Sequence, residues 1–138
     1  MNQPFLQPSL KPYGMLLTQR MDVLLPVSKR TMIILPGIVV NGFSAPRFQY
    51  TLTGMTPFSP NLIGPSIPHD MGYGGQFPGW GKDAWDQELY ALMMENQVDG
   101  LNIEETRDAL GIAGFVDWNK AAADKAGQAY IRQFASIV

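Results

Sequence analysis

Met15-Leu16-Leu17-Thr18-Gln19-Arg20-Met21-Asp22-Val23-Leu24-Leu25 decides how the rest of the chain is read. Met15, Leu17, Met21, Val23 and Leu25 fall on one face, and Thr18, Arg20 and Asp22 on the other. Alternation with a period of two predicts a half-buried strand. Pro26 and Ser28-Lys29-Arg30 end it. Beyond that break, Met32 to Leu35 and Ile38 to Val40 read as two buried strand pieces around a Pro36-Gly37 turn. Phe48, Tyr50 and Leu52 alternate with Arg47, Gln49, Thr51 and Thr53 and predict a further strand. The first half is therefore expected to be β-rich, with antiparallel, meander-like connections.

On the N-terminal side, residues 1–14 carry Pro4, Pro8 and Pro12. Four-residue proline spacing suits an extended arm and opposes a helix. Phe5, Leu6 and Leu10 would anchor such an arm on a neighbouring subunit. The single domain would then occupy residues 15–138, a length suited to one hydrophobic core.

On the C-terminal side the period changes. Gly54 to Pro65 reads as loop. Ser66 is a plausible N-cap, with Pro68 in the first turn, where its missing N–H costs nothing. The helix that follows is short, or its glycines (Gly72, Gly74, Gly75) allow close backbone approach. Asp83 reads as the N-cap of a firmer helix whose Trp85, Leu89, Leu92, Met93 and Asn96 recur at helical spacing. Asn102 and Glu105 form a capping-box pattern for a helix that stops at Gly111. Asp117 is expected to cap a last helix to about Ile137, with Trp118, Ala122, Ala126, Tyr130, Phe134 and Ile137 as its stripe. Strands first and helices second predict an α+β fold.

Composition narrows the function. Hydrophobic residues make up 46% and charged residues 16%, enough apolar material for a core and too little charge for a disordered chain. The net charge of −2 comes without a dense Lys/Arg cluster, which argues against a nucleic-acid or anionic-lipid surface. No cysteine is present, so disulfides and thiolate metal ligands are excluded, and a reducing compartment is expected. Met1-Asn2-Gln3-Pro4 does not open a signal peptide, and no apolar run is long enough for a membrane span. There is no Gly-x-Ser-x-Gly, Walker loop, His-Glu-x-x-His or dinucleotide fingerprint.

Ile67-Pro68-His69-Asp70-Met71-Gly72-Tyr73 is the segment that can carry chemistry. His69, the chain's one histidine, and Tyr73 are four apart and share a helix face. An imidazole titrates near neutrality and can act as a general base. Asp70 cannot orient that imidazole well, because adjacent helical residues diverge by ~100°. The orienting acid must come from the next helix, where Asp83 and Asp86 are the candidates. In one design His69 activates water, Asp86 holds the imidazole, and Asp70 ligates calcium, with the carbonyls of Gly64, Gly74 and Gly75 at hand. In another, His69 and two acids bind a divalent metal directly. In a third, His69-Asp70 merely belongs to a capped first turn, where the helix dipole favours an acid. Trp80, Trp85 and Trp118 are expected in the core.

Two resemblances attach to these residues. Asn41-Gly42-Phe43-Ser44-Ala45-Pro46-Arg47, then His69-Asp70-x-x-Tyr73, then Asp83-Ala84-Trp85-Asp86-x-x-Leu89 resembles a family of unknown function found in tailed-phage and prophage genomes. That family's pattern carries a Thr-Asp pair after Gly-Phe and an aromatic where Leu89 stands; both are absent here. The resemblance implies a phage virion-associated or assembly protein, made in the host cytoplasm and then part of the virion. Its partners would be other virion proteins, or copies of itself, through the N-terminal arm. The same His69-Asp70-x-x-Tyr73 also looks like the active helix of phospholipases A2. That resemblance implies a calcium-assisted hydrolase of lipid or cell-envelope esters, with His69 activating water, Asp70 on calcium and Asp86 orienting His69. Asn61 to Ser66 departs from that family's glycine-rich calcium loop, and the β-rich first half departs from its fold.

Overall fold

The computed structural model describes residues 1–9, 14–40 and 59–138. Leu10, the 41–47 segment of the phage-family pattern and the strand expected at Phe48 to Leu52 lie outside the described residues. The fold is α+β: among the described residues, five short antiparallel strands lie in the first 40 positions and five helices follow from Pro60 onward.

Among the described residues two three-stranded sheets form, ordered β1-β2-β5 and β3-β4-β6. Their strands are β1 Leu6–Pro8, β2 Met15–Leu17, β3 Met21–Leu24, β4 Thr31–Ile34, β5 Val39–Val40 and β6 Ala135–Ile137. The stretch from Met15 to Leu25 is thus two strands in different sheets, not one. Thr18 marks the break: its N–H and hydroxyl both donate to the Phe5 carbonyl, at 2.9 and 3.1 Å. The expected faces survive the break. Leu17, Met21, Val23 and Leu25 are buried and Thr18, Arg20 and Asp22 are exposed. Even spacing keeps side chains on one side whichever strand takes the backbone hydrogen bonds.

Leu6–Pro8, expected as part of an extended arm, lies against the body instead. Leu6–Pro8 pairs antiparallel with β2, Leu6 opposite Leu17, and Pro8 is tolerated because β1 is an edge. Leu6 packs partly into the core, while Phe5 stays 59% exposed.

β3 and β4 form a hairpin with Met21 opposite Ile34. Its turn is held from outside the sheet: the buried Glu88 carboxylate accepts the N–H groups of Val27 and Ser28 at 3.0 and 2.7 Å. The Pro36-Gly37 turn appears as expected. Gly37 takes φ +106°, a conformation side chains rarely adopt.

The helices are α1 Pro60–Gly75, α2 Lys82–Glu95, α3 Gly100–Ile112, α4 Gly114–Ala123 and α5 Lys125–Phe134. Helix α1 begins seven residues before the expected start, with Ser59 at its N-cap and both Pro65 and Pro68 inside it. An internal proline removes a backbone bond and costs about 3 kcal/mol in an isolated helix. Here α1 is the central helix, buried on nearly every side, and packing overrides propensity. Ser66 is no cap: its Oγ donates to the Ile63 carbonyl at 2.8 Å.

The other boundaries shift for the same kind of reason. Gly81, not Asp83, is the N-cap of α2. Asp99 caps α3 by accepting the Asn102 N–H, three residues ahead of the expected cap. The single last helix is two, broken at Asp124, whose carboxylate accepts the Gly127 N–H and starts α5. The chain then turns extended, and β6 pairs with β4, Ile137 opposite Met32.

One core cluster joins both sheets to α1 and α2 through Leu17, Val23, Met32, Ile34, Ile67 and Trp85. A second, made by Leu62, Leu89, Met93 and Val98, seats α3. Trp85 is fully buried and stacks on Trp80, with ring centroids 4.4 Å apart. Trp80 and Trp118 pack on the core from its edge, as expected of the tryptophans. Among the described residues no helix is long and apolar enough to cross a membrane.

Candidate functional site

The site is built where α1 crosses α2. A Cβ on Gly72 would lie 2.2 Å from the Trp85 ring, so only glycine admits the tryptophan there. Of the two sequence readings for these glycines, close approach is the one realised. The pairs Gly72/Trp85, His69/Asp86 and Leu62/Met93 step in opposite sequence directions, so the helices run antiparallel. His69 and Tyr73, one turn apart on α1, therefore meet one acid on α2.

That acid is Asp86. His69 Nε2 lies 2.9 Å from Asp86 Oδ1, and the Tyr73 hydroxyl donates to the same oxygen at 2.6 Å. An ionised carboxylate only accepts, so Nε2 carries the hydrogen, and in the neutral ring Nδ1 keeps the lone pair. The Tyr73 ring lies beside the imidazole, 4.3 Å between centroids, and Trp118 meets Tyr73 edge-on at 5.1 Å. The imidazole is thus fixed by a hydrogen bond and by packing. Asp83 is exposed and takes no part in the cluster.

Asp70 sits on the other side of the ring. Its Oδ1 is 3.8 Å from His69 Nδ1, an ion-pair distance and too long for a hydrogen bond. Adjacent helical positions diverge, as the spacing predicted. Nδ1 makes no hydrogen bond to any described residue. His69, Asp70 and Tyr73 line a cleft of about 440 Å³ with Ser66, Met71, Leu89, Thr106, Leu110, Asp117 and Ile131.

Lys82 is the functional residue that the sequence reading missed. Its Nζ donates to Asp86 Oδ2 at 2.7 Å and to the Leu110 carbonyl at 3.0 Å, and lies over the Phe115 ring at 4.4 Å. Both Lys82 and Asp86 are buried. A cation in the first turn of a helix opposes the dipole. The Lys82/Asp86 pairing supplies the reason for it, and the i, i+4 spacing was the available signal.

The electrostatics follow from these contacts. Burial pulls His69 toward its neutral form, but the Asp70 and Asp86 carboxylates outweigh it and hold its pKa above the ordinary 6.5. Burial alone would raise Asp86; the donors His69, Lys82 and Tyr73 prevail and hold it below 3.8. Burial and the neighbouring Asp86 charge push the Tyr73 hydroxyl far above 10, so it stays protonated and acts as a fixed donor.

The donors assigned to calcium are not assembled. Gly64 lies inside α1, Gly74 and Gly75 are its last two residues, and the Gly75 carbonyl accepts from Arg132 Nε at 2.7 Å. Asp86 spends both oxygens on His69, Tyr73 and Lys82. Among the described residues no group of three or more His, Asp or Glu could hold a metal ion. Phe5 and Leu6 belong to the β1 edge and not to this cluster.

No family model, no curated protein and no solved structure matches this chain.

Proposed function

We propose that the chain is a hydrolase in which His69 is the general base, acting on esters with an apolar acyl part. The observation that carries this reading is the 2.9 Å contact of His69 Nε2 with Asp86 Oδ1, which leaves Nδ1 as the other nitrogen of a ring that lines the cleft. His69 Nδ1 takes a proton from water as the oxygen attacks the ester carbonyl. The imidazolium is stabilised by Asp86 and Asp70, and the proton passes to the departing alkoxide. Tyr73 and Lys82 hold Asp86 in place throughout. Buried Met71 and Leu89 favour an apolar acyl chain. The test compares wild type with His69→Ala on p-nitrophenyl esters of graded chain length and on phospholipid, with calcium and with chelator. A loss of about 10²–10⁴ in turnover is expected for the variant. Equal turnover in both proteins would remove the proposal.

A second reading keeps the chain as an assembly component of a phage particle, contacting other virion proteins or copies of itself. Support comes from exposed Ile112, Phe115 and Val116 where α3 meets α4, and from exposed Phe5 beside edge strand β1. Deleting residues 1–12 would remove β1, so the cleaner variants are Phe5→Ser and Ile112→Ser. A mass by light scattering that stays monomeric in wild type at every concentration counts against it.

A further inference from the structure

The cleft beside His69 has a polarity that selects its ligand. Its inner wall is Ser66, Met71, Tyr73, Leu89 and Thr106, all buried. The two small hydroxyls there are already committed: Ser66 Oγ donates to the Ile63 carbonyl and Thr106 Oγ1 to the Asn102 carbonyl, at 2.8 and 2.7 Å. The wall therefore behaves as apolar. The outer part carries Asp117, which is exposed, and Asp70, whose side chain keeps 44% of its surface. No lysine or arginine lines the cleft. The nearest buried cation, Lys82, is turned away onto Asp86 and Leu110. Between wall and mouth stands His69, nine-tenths buried, with Nδ1 making no hydrogen bond to a described residue.

We infer that this cleft binds a cationic amphiphile: an apolar chain along the inner wall and an ammonium-type group between Asp70 and Asp117. With no lysine or arginine lining the cleft and His69 in its neutral form, the two carboxylates attract a cation and repel an anion, and the low-dielectric wall strengthens both effects. The volume falls in the range of sites for small organic ligands. An organic cation suits the site where a metal ion does not, because it asks for charge and surface, not for several oxygens at fixed distance. The inference rests on the hydrolase reading only for what happens to the ligand; binding itself requires no chemistry.

The test measures binding by calorimetry below the micelle concentration with three probes sharing one tail: octyltrimethylammonium, octyl glucoside and octyl sulfate. The cationic probe is expected to bind about ten-fold tighter than the neutral one, with the anionic probe weakest. Asp117→Asn, on an exposed helix position, should cut the cationic-to-neutral ratio several-fold. Asp22→Asn, an exposed acid on β3 outside the cleft, should not. Equal affinity for the three headgroups, or a ratio indifferent to Asp117→Asn, overturns the inference. His69→Ala separates the two proposals. Headgroup preference without ester turnover in wild type sinks the hydrolase reading and keeps the cleft. Turnover lost in His69→Ala with no headgroup preference does the reverse.

Discussion

Replacing Asp86 with asparagine removes one charge from the centre of the cluster and nearly preserves its shape. Two unit charges about 4 Å apart interact by roughly 4 kcal/mol at an effective dielectric constant near 20. At 1.36 kcal/mol per pKa unit that bounds the effect at ~3 units, and neighbouring opposite charges move a pKa by ~1–3. Asp70 remains 3.8 Å from Nδ1 and retains part of the elevation. His69 is therefore expected to titrate about 1–3 units lower in Asp86→Asn than in wild type. The chain has one histidine, so its imidazole resonance in an NMR titration needs no assignment. The same change leaves Lys82 buried without its partner, which costs ~3–5 kcal/mol. At roughly 4 °C per kcal/mol for this size, Tm should fall by about 12–20 °C. Adding Lys82→Met removes the orphaned charge and should recover part of that loss, and the double variant gives the His69 titration if the single one is too unstable. An imidazole that titrates identically with aspartate or asparagine at position 86 would refute the assignment of Asp86 as its orienting acid.

Other outcomes can be checked by simpler measurements. Gly72→Ala forces a Cβ to 2.2 Å from the Trp85 ring, so α1 and α2 must separate; a loss of about 1–3 kcal/mol is expected in chemical denaturation, and wild-type stability would contradict the contact. Glu88→Ala leaves the Val27 and Ser28 N–H groups without their acceptor and should cost ~1–3 kcal/mol, with faster hydrogen exchange confined first to the β3–β4 turn. For pH, the raised His69 pKa gives stability that is complete below 6.5 and is lost as pH climbs through the higher folded value. The lowered Asp86 pKa gives stability that is present above 3.8 and is lost as pH falls through the lower folded value. Tm against pH should therefore decline at both ends; His69→Gln should flatten the neutral-to-alkaline limb and also weaken the acid limb, because His69 is one of the donors that hold Asp86 low. Ester turnover, which needs neutral His69, should rise with pH through a midpoint above 6.5; a midpoint below it would disagree with the two carboxylates beside the ring.

Much of the fold is legible wherever a segment carries its own period. Leu17, Met21, Val23 and Leu25, and the stripe Trp85, Leu89, Leu92 and Met93, become buried as their spacing requires. The site is half legible. His69, Tyr73 and Asp86 were recoverable because i, i+4 spacing on one helix and an acid early in the next leave few other pairings. Lys82 carried the same i, i+4 signal toward Asp86 but is unremarkable until both groups are known to be buried. Asp117 and Ile131 reach the cleft from α4 and α5, and no local pattern links them to position 69.

The sequence by itself determined which faces are apolar, that strands precede helices, and that one histidine could meet one acid. Those are properties of a single segment: side-chain direction repeats every two residues in a strand and every 3.6 in a helix, whatever the neighbours do. Tertiary structure alone decided that Met15 to Leu25 is shared between two sheets and that Leu6–Pro8 closes an edge. It also decided that two prolines lie inside a buried helix and that the last residues pair as β6. Each of those outcomes depends on which distant backbone arrives to take a hydrogen bond or fill a groove. Gly72 shows the division most plainly. Its helix cost was visible in the sequence, but its benefit appears only when the Trp85 ring occupies the space a Cβ would have filled.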